Sequence, residues 1–178
     1  MTRVRGLALL VLLALGVIAF AAAAPASDDG GGKQIAIRDD CDSRDAGWNA
    51  VGGCALRRGD VDTAEFDEEL DSSRSAAVIG HQAWRNDPPY LEIKEGTSIR
   101  VVNKGGRAHT LTEVAEFGGG VVPQLNKGLT PSPECAGMLV VPPGGSTTIS
   151  GLAAGNHRMI CCFHPWMRAL VKVRDRSA

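Results

Sequence analysis

The sequence predicts an all-β protein, an antiparallel Greek-key β-sandwich that follows an irregular, partly helical N-terminal extension. The chain of 178 residues is about the size of one domain. It contains 22 glycines and only 4% aromatic residues, which is more typical of a loop-rich β protein than of a helical bundle. The spacing of its short apolar runs supports a sandwich and indicates where that sandwich begins.

From about residue 76, β-type runs alternate with clusters of Gly, Pro and Asn that are typical of turns. About eight such runs in roughly 100 residues indicate a sandwich, which we assign to residues 76–178. The segment 116–137 between two of the runs is a long loop. The predicted strands are AAVIG (76–80), YLEIK (90–94), TSIRVVN (97–103), AHTLTEV (108–114), MLVV (138–141), STTISGL (146–152), HRMICC (157–162) and RALVKV (168–173).

Residues 1–26 have the pattern of an export signal. Arg3 and Arg5 precede an apolar run of about 15 residues, and small residues follow with an A-x-A cleavage site at Ala24–Ala26. An uncleaved membrane anchor is the alternative, although the run is near the lower length limit for a spanning helix. We therefore expect a mature chain that begins near Ser27, lies in the periplasm or is secreted, and is not bound to a membrane after cleavage.

Residues 27–75 form the predicted extension. Its first residues, SDDGGGK, are typical of a flexible leader. Asp62 and Glu65 match a capping box before the helical pattern TAEFDEEL at 63–70. The remainder is charged and irregular, so we place the extension outside the sandwich.

Charge and motifs exclude several classes of function. Removal of residues 1–26 leaves 17 basic and 20 acidic residues, whereas a nucleic-acid-binding protein needs a basic face. No Ser-His-Asp pattern, phosphate-binding loop or paired-carboxylate motif rises above chance in this sequence. We therefore predict neither a nucleic-acid partner nor an enzyme.

The chain contains five cysteines, and an odd number in an exported protein leaves one thiol outside the disulfides. Cys41 and Cys54 are close enough in sequence to close a small loop. Cys135 is then left to pair with Cys161 or Cys162. Two disulfides and one metal-binding thiolate account for all five, although four paired cysteines allow three connectivities.

A metal-binding pattern follows the HRMICC run. Cys161, His164 and Met167 are spaced so that one loop can place all three side chains around one ion. His109, on an earlier predicted strand, can supply a second imidazole. Two histidines, a thiolate and a weak thioether are the ligands of a blue-copper electron-transfer site. The sequence therefore predicts one type 1 copper ion as the cofactor.

The doubled cysteine raises the question of which thiol binds the metal. Successive side chains on a strand point to opposite faces, so Cys161 and Cys162 cannot easily serve one site together. Cys161 has two residues between it and His164, whereas Cys162 has one. We predict Cys161 as the metal ligand and Cys162 as the disulfide partner of Cys135.

The region from about 76 to 173 resembles a cupredoxin of the plastocyanin and amicyanin group. CCFHPWMRALVKV is similar to the short ligand loop of amicyanin, and VVNKGGRAHTLT resembles the strand that brings the first histidine. The resemblance implies a cupredoxin fold with His109, Cys161, His164 and Met167 as ligands. The doubled cysteine, the 27–75 extension and the long loop before Met138 depart from the family pattern.

The predicted function is that of an exported type 1 copper protein carrying single electrons between protein partners. We expect a monomer that binds a redox donor and a redox acceptor transiently. Phe163, Pro165 and Trp166 are predicted to surround the exposed edge of His164 as an apolar electron port. An extracytoplasmic copper carrier or storage protein is the alternative, and a zinc site or a metal-free module are the other possibilities.

Overall fold

The computed structural model describes residues 33–71 and 81–177. The export signal and the predicted strand AAVIG lie outside these residues. Within these ranges, no helix is long and apolar enough to cross a membrane. The strands are β1 (Lys33–Arg38), β2 (Arg85–Asp87), β3 (Tyr90–Lys94), β4 (Ile99–Asn103), β5 (His109–Thr110), β6 (Thr112–Val114), β7 (Val140–Val141), β8 (Ser146–Ile149), β9 (Gly155–Ile160) and β10 (Arg168–Arg174). The α-helices are α1 (Ala46–Ala50) and α2 (Thr63–Asp71), and short 3₁₀ helices occupy Pro123–Leu125 and Pro133–Gly137.

Two four-stranded sheets form the body of the molecule. One has the strand order β2-β1-β4-β8 and the other has the order β3-β10-β9-β6, while β5 pairs with β7. This architecture confirms the predicted all-β sandwich with a helical segment. The sheets are mixed rather than purely antiparallel, because β1 pairs parallel to β4 and β10 pairs parallel to β3.

Alternation of apolar and polar residues explains why the C-terminal segments form strands. In β10, Ala169, Val171 and Val173 are buried and Lys172 is exposed. In β3, Leu91 and Ile93 are buried in the same way. The period of two places one face of each strand in the core, which is why these two strands were predicted from sequence.

Strand β1 corrects the predicted domain boundary at residue 75. Lys33–Arg38 lies between β2 and β4 in the first sheet, whereas residues 27–75 were expected to lie outside the sandwich. Ile35, Ala36 and Ile37 are all buried, as expected for a strand that is covered on both faces. Three consecutive apolar residues before a charged stretch show no alternation, so periodicity did not identify this strand.

Strand β2 was also missed, because RND is short and polar. Its central residue, Asn86, is nevertheless 2% exposed, and its Nδ2 donates a hydrogen bond to the Met167 carbonyl at 3.0 Å. A strand of three residues can therefore hold the distant loop that precedes β10.

The rest of the extension forms a helical cover on the sandwich. Asp45 caps α1 by accepting a hydrogen bond from Gly47 N, and its Oδ2 accepts from both the amide and the hydroxyl of Thr63. Asp62 accepts from Glu65 N at 2.8 Å, which is the expected cap of α2. Phe66 and Leu70 of α2 are buried in the main core. One carboxylate thus links the starts of two helices and sets how α2 lies on the sheets.

Candidate metal centre

The loop from Cys161 to Met167 joins β9 to β10 and is closed by its own backbone. Cys161 N donates to the Met167 carbonyl at 3.0 Å, and Met167 N donates to the His164 carbonyl at 2.9 Å. His164 N donates in turn to the Cys161 carbonyl at 3.2 Å. Each of the three potential donor residues is therefore tied to another, so their side chains have little freedom to separate.

His109 reaches the same place from β5 and is fully buried. Its Nδ1 lies 3.6 Å from Cys161 Sγ, and His164 Nδ1 lies at the same distance from that sulfur. The ligand atoms of the three residues lie within 4.8 Å of one another. One soft thiol and two imidazole nitrogens that converge in this way can hold a transition-metal ion in a trigonal plane.

Met167 completes a His-Cys-His-Met group. It is 1% exposed and lies close to the other three residues. The thioether is a weak, soft donor of the kind that occupies the axial position of type 1 copper sites. These four donor groups fit one type 1 copper ion.

The five cysteines form two disulfides and leave one free thiol. The structure joins Cys135 to Cys162 and Cys41 to Cys54. Cys161 is the free cysteine among the five, all of which lie in the described ranges, and it is buried. Cys161 packs in the main core, whereas Cys162 belongs to a separate small cluster.

Thr110 lies between the two cysteines and interacts with both. Its amide donates to Cys161 Sγ at 3.5 Å, and its hydroxyl accepts from Cys162 N at 2.8 Å. The residue after His109 therefore fixes the position of the sulfur relative to the imidazole. Such contacts hold the donor atoms in place before a metal binds.

The electrostatics of the site favour a thiolate. Burial raises the pKa of Cys161, but hydrogen bonds and charges from His109 and His164 lower it well below its usual value. Burial lowers the pKa of His109, whereas its interactions with Asp39 and Cys161 raise that pKa to about 9. Burial lowers the pKa of His164. The thiolate, which is the form of cysteine that binds metals, is thus stabilised by the two imidazoles.

Asp39 is a site residue that sequence reasoning missed. It is 1% exposed, and its Oδ2 lies 2.5 Å from His109 Nε2. It stands in the segment RDDC among several other acidic residues, 70 positions before His109. No local pattern distinguishes Asp39 from its neighbours, so only the tertiary structure identifies it.

The predicted electron port is altered by the helical cover. Pro165 is buried and Trp166 is only 6% exposed, contrary to the expected exposed patch. The ring of Trp166 lies 6.1 Å from that of Phe66, because α2 packs over the ligand loop. Phe163 and His164 instead line a cleft of about 650 Å³ together with residues of α1 and α2.

Solved structures of cupredoxins are similar to this chain. A purple cupredoxin from Nitrosopumilus maritimus is 19% identical and has a TM-score of 0.43, and the match covers 80% of this chain and 99% of that one. A reduced variant of amicyanin is 23% identical over 48% of this chain and 70% of its own, with a TM-score of 0.34. A reduced Cu(I) form of another amicyanin variant is 20% identical over 58% of this chain and 87% of its own, with a TM-score of 0.37.

No protein-family model matches the chain, and no curated protein matches it in sequence. The site is therefore interpreted from its own geometry. The chain is an all-β sandwich with a short helical segment, its His-Cys-His-Met residues lie close together, and its fold is similar to that of cupredoxins.

Proposed function

We propose that this protein is an exported type 1 copper protein that transfers single electrons between protein partners. The observation that carries the proposal is the buried Cys161 thiol, which lies 3.6 Å from the Nδ1 atoms of both His109 and His164. Met167 supplies the fourth donor of the set that blue-copper electron carriers use. His109, Cys161, His164 and Met167 would hold the ion.

Bound copper would supply one-electron redox chemistry. The chain supplies a site that is already arranged, since the ligand loop is closed by its own hydrogen bonds. Burial of Cys161, His109 and Met167 keeps bulk water from the metal position. A rigid, dry site needs little rearrangement when its charge changes, and this property suits repeated electron transfer.

The test is a visible and electron-spin-resonance spectrum of the copper-loaded protein. We expect an intense thiolate-to-copper absorption when copper is oxidised, and its loss on reduction by one electron per protein. Zinc-loaded protein is the control and should be colourless. Copper bound without the thiolate band, or a band that reduction does not remove, would contradict the proposed function.

Met167 is expected to tune the reduction potential. Met167→Gln should keep copper bound but lower the potential, because a harder oxygen donor favours the oxidised ion. Redox titration of the variant beside the wild type measures the change. An unchanged potential would show that the thioether does not contact copper.

The electron port is proposed to be the cleft at His164. Phe163 is half-buried and lines this cleft, whereas Pro165 and Trp166 are buried and do not line it. Phe163→Glu should slow electron exchange with the redox partner several-fold and leave the copper spectrum unchanged, since a charge at a docking surface mainly affects association. Leu139→Glu is a matched control, because Leu139 is an exposed apolar residue outside the cleft.

Electron exchange at the wild-type rate in Phe163→Glu would place the port elsewhere. The partners are proposed to be a protein donor and a protein acceptor that bind the monomer transiently. Export to the periplasm or beyond the cell is proposed from the signal pattern in residues 1–26. The two disulfides are consistent with an oxidising compartment.

A further inference from the structure

A buried carboxylate lies directly behind one of the proposed copper ligands. His109 presents Nδ1 to Cys161 Sγ, so its Nε2 points away from the metal position. Nε2 faces Asp39 Oδ2 at 2.5 Å, and both side chains are fully buried. When Nδ1 binds a metal, Nε2 carries the proton and donates it in a hydrogen bond to Asp39.

The other partners of Asp39 are donors as well. Gly106 N donates to Oδ1 at 2.8 Å, and Arg107 N donates to Oδ2 at 3.1 Å. An ionised carboxylate can accept at both oxygens, whereas an amide would turn an N–H group towards one of these donors. The environment therefore selects an ionised aspartate. Consistent with this, the pKa of Asp39 is lowered, because hydrogen bonds from His109 and the two amides outweigh the effect of burial.

The turn that donates to Asp39 is held rigidly. A Cβ on Gly105 would overlap Asp39, and one on Gly106 would overlap the sulfurs of the Cys41–Cys54 disulfide. Asn103 spans the turn, since its Oδ1 accepts from Gly105 N at 2.9 Å and its Nδ2 donates to the Arg107 carbonyl at 2.7 Å. The carboxylate thus occupies a cradle built by β1, the disulfide and the residues after β4.

We propose that Asp39 is a positioning residue that locks the ring of His109 and keeps a permanent negative charge behind it, so that oxidised copper is favoured over reduced copper. This inference rests on the proposed function. A charge in a buried environment is poorly screened, and hydrogen bonding by a carboxylate increases the donor strength of the imidazole. Both effects stabilise the more highly charged ion, so Asp39 lowers the reduction potential.

The test is Asp39→Asn, which removes the charge but keeps the size of the side chain. We expect the ratio of Cu(II) affinity to Cu(I) affinity to fall about tenfold, which corresponds to a rise in potential of about 59 mV for one electron. Zn²⁺ affinity, a readout without redox chemistry, should also fall. A merely structural role would weaken the two copper states equally and leave their ratio unchanged.

Asp87→Asn is the matched control. Asp87 is an exposed carboxylate on β2 that accepts a hydrogen bond from Arg38 Nε at 3.0 Å. Asp87 carries the same charge as Asp39 and lies on the strand that pairs with β1, but it is not hydrogen-bonded to a proposed ligand. Its replacement should leave the affinity ratio near the wild-type value. A similar shift in both variants would overturn the assignment of a specific role to Asp39.

A measurement on the wild type keeps the inference testable even where Asp39→Asn does not fold. In zinc-loaded protein, the His109 Nε2 proton should give a low-field magnetic-resonance signal that exchanges slowly with water. Rapid exchange of this proton would overturn the inference. If the wild type shows the thiolate band but folded Asp39→Asn has an unchanged ratio of Cu(II) to Cu(I) affinity, the inference alone is overturned. If the wild type lacks the thiolate band, the proposed function and the inference are overturned together.

Discussion

Cys161→Ala is expected to abolish the thiolate-to-copper band completely, whereas Cys162→Ala should retain it. Cys161 Sγ lies 3.6 Å from the Nδ1 atoms of both His109 and His164, and the other four cysteines are held in disulfides. Cys162 is bonded to Cys135 and packs in a cluster separate from the main core. Visible spectra of the two copper-loaded variants, recorded beside the wild type, provide the measurement.

Cys162→Ala has a separate, structural effect. Loss of its disulfide should reduce the free energy of unfolding by about 2–5 kcal/mol, the usual cost for a native disulfide. It should also release one thiol at Cys135, which can be counted by alkylation and mass analysis. A colourless Cys162→Ala beside a blue Cys161→Ala would reverse the assignment of the ligand.

Phe66→Ala is expected to lower the free energy of unfolding by about 3–5 kcal/mol, as for other buried aromatic residues. Phe66 is 7% exposed and connects α2 to the sandwich. Its ring centroid lies 4.8 Å from that of Trp84, 5.2 Å from that of Trp48 and 6.1 Å from that of Trp166. Urea denaturation of the metal-free protein measures the loss.

The blue colour should survive in Phe66→Ala, because none of the four proposed ligands lies on α2. Leu139→Ala is the control for removal of a large apolar side chain, and it should change stability by no more than about 0.5 kcal/mol since Leu139 is 63% exposed. A loss of stability in Phe66→Ala as small as in this control would mean that the helical cover contributes little to the fold.

Local patterns explain which elements could be predicted. YLEIK and RALVKV alternate clearly, and the structure forms β3 and β10 there. Asp62 and the TAEFDEEL pattern correspond to the capped helix α2. β1 and α1 were missed, because β1 has three consecutive buried residues instead of an alternation and α1 is a single short turn of five residues.

The spacing of the ligand loop could be predicted from the sequence alone. Cys161, His164 and Met167 stand at every third position, with two residues between neighbours, and their backbone hydrogen bonds are made within the same seven-residue loop. Local spacing is enough to bring such groups together, because the chain between them is too short to separate them. Adjacent side chains on an extended chain point in opposite directions, and this predicted that Cys161 and Cys162 would not share one site.

The surroundings of that loop depend on contacts between distant parts of the chain. Asp39 meets His109 across 70 positions of chain, because β1 enters the first sheet beside β4. Trp166 is covered because α2 packs on the ligand loop, and this moves the accessible edge of the site to the cleft beside Phe163. Such contacts depend on how whole strands and helices pack, and neither periodicity nor spacing along the chain records that packing.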